Sequence, residues 1–139
     1  MISPDHVRGM SRYNKWMNDK IFPCTAQLSD EERKRDRGAF FKSIHATLNH
    51  ILWADQIWMY RLAGMAKPKV GSIGESLAQF DDFAEMTRER LSFDNVIVDW
   101  ATALDAAALS GDYSYFSAAS GRQITKPRWL LVTHMFNHQ

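Results

Sequence analysis

Along four long stretches of the chain, apolar residues return every three or four positions, the spacing of helices that bury one face. The first opens on Ser3-Pro4-Asp5: a cap residue, Pro at the first helical position, and an acid near the positive end of the dipole. It continues through Val7, Met10, Tyr13 (or Asn14), Met17 and Ile21. Pro23 is expected to kink or end it, although Cys24 to Leu28 are able to resume it. Ser29-Asp30-Glu31-Glu32 reads as a capping box for a short further turn. The second stretch opens on Ser43, closes near Gly64 and is apolar on most sides. Ile44, Leu48, Ile51, Asp55, Trp58, Met59 and Leu62 form one stripe of it, and Ala46, His50, Ala54, Ile57 and Arg61 a second face. Lys67 to Gly74 is a loop by its Gly and Pro content. The third stretch is expected from about Ser76 into the 100s, with Leu77, Phe80, Ala84 (or Phe83), Thr87, Leu91, Val98 and Ala101 on one side.

Asp105 to Leu109 reads as a separate turn broken by Gly111. Tyr113-Ser114-Tyr115-Phe116 and Gln123-Ile124-Thr125 are β-prone runs with Ser120-Gly121 between them, which predicts a small hairpin. Thr125-Lys126-Pro127 starts the last helix, made strongly apolar by Trp129, Leu130, Leu131, Val132, Met135 and Phe136. The pattern predicts an all-α domain over residues 1–139, a four-helix bundle with a small hairpin before the last helix. That helix reaches His138-Gln139 with no Gly, Pro or basic last turn. The expectation is therefore a chain truncated within its last helix.

Composition narrows the classes. The length fits one domain and buries a core without disulfides. Net charge is +1, which favours neither nucleic acid nor a membrane surface. In the run from Asp30 to Arg37, Asp30, Glu31, Glu32 and Asp36 offset Arg33, Lys34, Arg35 and Arg37, so it reads as a solvated connector. Cys24 is the single cysteine, which excludes an intrachain disulfide and fits a reducing cytoplasm. No segment reads as a signal peptide or is apolar for long enough to span a bilayer.

The candidate chemistry lies in the histidines. A buried imidazole needs partners for its ring nitrogens, and for His50 these are either a core neighbour or a metal. His134 and His138 are four residues apart and point to one side of the last helix, so the two are able to share an ion. His50 is a candidate third ligand from the facing helix; the bland alternative packs all three in a polar seam. His6 and His45 lie elsewhere, in the first turn and on a different face from His50. Asp55, inside an apolar stripe, is expected to bond to an Arg or Trp between helices rather than to titrate in catalysis.

Four motifs together resemble the DinB family of DinB/YfiT-like metalloenzymes. They are Arg12-Tyr13-Asn14-Lys15-Trp16-Met17-Asn18, Asp36-Arg37-Gly38-Ala39-Phe40-Phe41, Leu48-Asn49-His50-Ile51-Leu52-Trp53-Ala54-Asp55 and His134-Met135-Phe136-Asn137-His138-Gln139. The resemblance covers essentially the whole chain. It implies an antiparallel four-helix bundle with a long crossover connection, commonly a homodimer. It also implies a divalent metal, zinc or nickel, held by three His. His50 and His138 match two of these, and the usual third lies one turn beyond Gln139. His134 is one turn upstream of His138 and is expected to support the ligands more than to be one. Some relatives are thiol-dependent S-transferases or isomerases, which implies a low-molecular-weight thiol and a small electrophile as partners; hydrolysis is the variant without thiol. A metal- or ligand-binding dimer without turnover, in stress response, is the other reading. DNA binding has no basic stripe, helix-turn-helix or zinc-finger spacing behind it.

Overall fold

The computed structural model describes residues 1–118 and 120–139. It is mostly helical (62%), with six α-helices and a two-strand hairpin. These are α1 (Pro4–Ala26), α2 (Asp30–Lys34), α3 (Ile44–Ala63), α4 (Ile73–Ser76), α5 (Phe83–Ala103) and α6 (Arg128–Asn137). A 3-10 turn (Ala107–Leu109), β1 (Asp112–Ser117) and β2 (Arg122–Pro127) lie between α5 and α6. The strands pair antiparallel, from Asp112 opposite Pro127 to Ser117 opposite Arg122. None of the helices is long and apolar enough to cross a membrane, among the described residues.

Local signals set most helix ends. Ser3 Oγ accepts from His6 N, Ser43 Oγ from Ala46 N, and Ser29 with Glu32 forms the expected capping box. Gly64 takes a left-handed φ of 67°, open to glycine without strain, and ends α3. Of the two alternatives at Pro23 the chain takes the second: α1 continues through Pro23 to Ala26, close enough to its end that the missing N–H costs one backbone bond. One expectation is corrected. The third long helix starts at Phe83, not Ser76: Ser72 and Glu75 cap the four-residue α4, the chain turns, and Asp82 Oδ1 accepts from Glu85 N to cap α5.

Contacts along the helices fix their directions. Arg8 Nη2 donates to Leu104 O at 3.0 Å, and Phe22 stacks on Phe83 with ring centres 5.7 Å apart, so α1 and α5 run opposite ways. His45 lies near Phe83, and further along both helices Gln56 Nε2 donates to Glu89 Oε1 at 2.9 Å, so α3 runs with α5. His134 faces Trp58 and His138 faces His50, so α6 opposes α3. Parallel α3 and α5 require the chain to return the length of the molecule between them, and residues 64–82 do so. Trp53 Nε1 holds this connector by donating to Val70 O at 2.9 Å. Fully buried Asn49 holds it again: its Nδ2 donates to Phe80 O and its Oδ1 accepts from Phe80 N, both at 2.9 Å. His45 Nε2 donates to the same carbonyl at 2.8 Å.

Two apolar clusters form the core. One gathers Val7, Trp58, Met59, Ile97, Ala101, Val132 and Met135; the other gathers Phe22, Leu48, Leu52, Phe80, Phe83 and Met86. Between them lies a charged layer. Arg90, the largest fully buried side chain, donates from Nη1 to Asp55 Oδ2 at 2.6 Å, and its Nη2 lies 2.7 Å from Asp94 Oδ1. Asn14 and Asn18 donate to Asp94 at 3.2 and 3.1 Å, and Gln139 Nε2 donates to Asp55 Oδ1 at 2.6 Å. The two carboxylates thus share one guanidinium and three amides. Burial pushes both carboxyls above their ordinary range, against the downward pull of Arg90. The expectation for Asp55 as an interhelical partner of an Arg holds.

Candidate functional site

Three imidazoles meet where α3 faces α6. His50 is buried on α3, with its ring centre 5.5 Å from that of His138 and 4.2 Å from that of Phe41. His134 lies 5.4 Å from His138 and meets Trp58 edge-on at 5.2 Å. The helical spacing of four residues puts His134 and His138 on one side of α6, as the sequence predicts. Together they line a cavity of about 500 Å³ whose walls also include Trp53, Trp58, Arg61 and Tyr115.

The protonation of His50 follows from hydrogen-bond accounting. His50 Nδ1 lies 3.0 Å from Ser76 Oγ. The Ser76 hydroxyl has one proton and donates it to Ile73 O at 2.6 Å. Ser76 Oγ therefore accepts from His50 Nδ1–H, and Nε2 keeps the lone pair. Burial, then the nearby His138, lowers the His50 pKa and keeps the ring neutral at pH 7; the same two causes lower that of His134.

This neutral, oriented imidazole is the form that ligates metals. Two imidazoles sharing a tetrahedral ion at zinc–nitrogen distances hold their ring centres roughly 5 Å apart. The separation of His50 and His138 fits that as a pair. Among the described residues, no group of three or more His, Cys, Asp or Glu is placed to hold a metal ion. The residues present thus offer a two-histidine foothold with His134 beside it.

The DinB family model matches residues 4–139, essentially the entire chain. The chain belongs to the DinB family. Among curated proteins none matches it. The structure of this DinB-family chain brings together His50, His134 and His138, and leaves His6 exposed in the first turn of α1. It ties His45 to the Phe80 carbonyl, away from the cavity. The sequence carries no signal for Ser76, the partner of His50, because the two are 26 positions apart and no spacing rule links them. Helical spacing puts Arg61 on the His50 face without a function, and Tyr115 reaches the cavity only through the hairpin.

Proposed function

We propose that this chain is a divalent-metal-dependent enzyme, a thiol-dependent S-transferase or a related hydrolase. His50 and His138 hold zinc or nickel, and His134 supports them. The observation that carries the reading is the lone pair fixed on His50 Nε2 by the chain from Nδ1–H through Ser76 to Ile73 O, on a ring facing His138. The chemistry such an ion supplies when bound is Lewis acidity, which favours thiolate over thiol at neutral pH and lowers the pKa of water. The chain's own part is positioning and exclusion. Phe41 and Trp53 cover the His50 ring, and Trp53 and Trp58 give a small electrophile an apolar wall. In this reading the helices form the antiparallel four-helix bundle with a long crossover, a cytoplasmic homodimer using a low-molecular-weight thiol.

A second reading, a metal- or ligand-binding bundle without turnover, is favoured by one observation: no Asp or Glu lines the cavity among the described residues, so no carboxylate is available as a general base. Elemental analysis after loading with zinc or nickel tests the shared part of both. About one ion per chain is expected, with loss in His50→Ala. Ser76→Ala should keep the ligands and lower metal affinity by about 10–100-fold, the usual cost of losing a group that orients a ligating His. No uptake by the wild-type chain would remove the metal reading. Metal-dependent consumption of thiol with a model electrophile then separates enzyme from binder.

A further inference from the structure

The cavity wall includes a cation with no counter-charge. Arg61 sits on the last turn of α3, on the same face as His50 and eleven residues along. Its guanidinium lies over the Trp58 ring at 4.9 Å and over the Tyr115 ring at 4.4 Å. Among the described residues it donates no hydrogen bond and forms no ion pair; Arg12, Arg37, Arg88 and Arg122 also lack an ion pair but are exposed to solvent, and of the arginines withdrawn from it Arg8, Arg33 and Arg90 have carboxylate partners, while Arg61 and Arg128 have none. It is half-buried, and burial lowers its pKa from the ordinary value, the mark of a charged group short of solvation. Cation–π contact compensates the charge in part and leaves the N–H fork unused. The helix dipole accounts for a basic residue on this turn, not for its being turned into a cavity and stacked on two rings.

We propose that Arg61 anchors a carboxylate of the molecule this cavity takes, an organic acid with an apolar or aromatic body. The planar fork matches a carboxylate in two parallel hydrogen bonds, and Ile57, Trp53 and Trp58 form an apolar lining between Arg61 and His50. Long helical side chains lean toward the N-terminus, so Arg61 reaches back over Trp58, whose ring edge also meets His134. A ligand held by its acid group at Arg61 therefore presents its other end toward the histidines. The proposal rests on the reading of this cavity as the functional site and not on a bound metal.

The test uses the full chain, stripped of metal by chelator, and titrates it with 3-phenylpropionate and with the matched neutral 3-phenylpropionamide. Binding is followed by calorimetry and by tryptophan fluorescence. The expected result is binding of the acid about tenfold or more tighter than the amide, as for hydrogen bonds to a charged group. Arg61→Gln should abolish the difference and Arg61→Lys should keep part of it. Because the titration uses metal-free chain, an acid preference without metal uptake on loading and metal uptake without an acid preference are separate outcomes, so failure of the metal reading and failure of this one give different patterns. Equal affinity for acid and amide in the wild-type chain, or no saturable binding of the acid at millimolar concentration, overturns the proposal. The wild-type comparison decides the matter even if a variant does not fold.

Discussion

Replacing Arg90 by Met is expected to cost about 3–5 kcal/mol of folding stability, the range for breaking a buried ion pair from one side. Met keeps most of the side-chain volume, so the loss is electrostatic rather than a cavity. Asp55 would retain only the Gln139 amide, and Asp94 only Asn14 and Asn18. Against a typical total of about 5–15 kcal/mol, that is enough to lower the melting temperature on the order of 10–20 °C.

The sign of the pH dependence is fixed as well. Both carboxyls bind protons more tightly in the folded chain than at the ordinary value of 3.8. Groups raised in this way contribute stability that is fully present below the unfolded value and is lost as pH rises through the folded value. Removing Arg90 takes away the main downward pull, so both should rise further. The deficit of Arg90→Met relative to wild type should thus be small near the unfolded value and grow toward neutrality. Urea unfolding followed by circular dichroism across that range measures it. A deficit below about 1 kcal/mol at neutral pH would show that the carboxyls do not depend on the guanidinium.

Asn49→Ala is the second large effect expected, at about 2–4 kcal/mol. The substitution leaves Phe80 N–H buried without an acceptor, at about 1–3 kcal/mol, and removes a second bond to a carbonyl that His45 still reaches. Its consequence is also local. Phe80 is where the connector bearing Ser76 turns into α5, so its release loosens the group that orients His50. Hydrogen exchange at the Phe80 amide should accelerate by far more than at the amides of Ile97 or Met135 in the other cluster. Unchanged protection at Phe80 would mean that the turn is held by packing alone.

The helices were legible where physics acts locally. Ser43 and Gly64 bracket α3, Ser29 and Glu32 cap α2, and the hairpin follows from two β-prone runs around Ser120-Gly121. The buried faces of α1 and α5 are legible only in part. Of the stripe expected on α1, Val7, Met10, Tyr13 (or Asn14), Met17 and Ile21, Val7 and the alternative Asn14 are buried, whereas Tyr13 and Ile21 are exposed and Ser11, Asn18, Phe22 and Thr25 complete the buried face. Of the side expected for α5, Leu77, Phe80, Ala84 (or Phe83), Thr87, Leu91, Val98 and Ala101, Phe80, the alternative Phe83 and Ala101 are buried, whereas Leu91 is exposed and Met86, Arg90, Asp94 and Ile97 complete the buried face. The cause is the same in both. A hydrophobicity pattern scores Asn18, Arg90 and Asp94 as surface, and here they satisfy one another inside. At the site, the histidines were visible through their spacing and their family setting. The Ser76 contact and the stacking of Arg61 on Tyr115 depend on tertiary placement that no local rule encodes.

Helices that meet only through aliphatic side chains can slide past one another by one turn, about 5.4 Å, with little loss of buried area. The layer of Asp55, Arg90 and Asp94 removes that freedom. A one-turn slip of α5 would carry Arg90 away from Asp55 on α3 and Asp94 away from Asn14 and Asn18 on α1, leaving Asp55 buried without its cation, so wrong alignments are penalised as well as unrewarded. The charged layer thus serves as an index mark for the vertical alignment of three helices, α1, α3 and α5. A chain carrying Asp55→Asn, Arg90→Met and Asp94→Asn together should regain much of the lost stability yet show broadened or doubled amide resonances along α5. One sharp set of resonances would instead assign the alignment to shape alone.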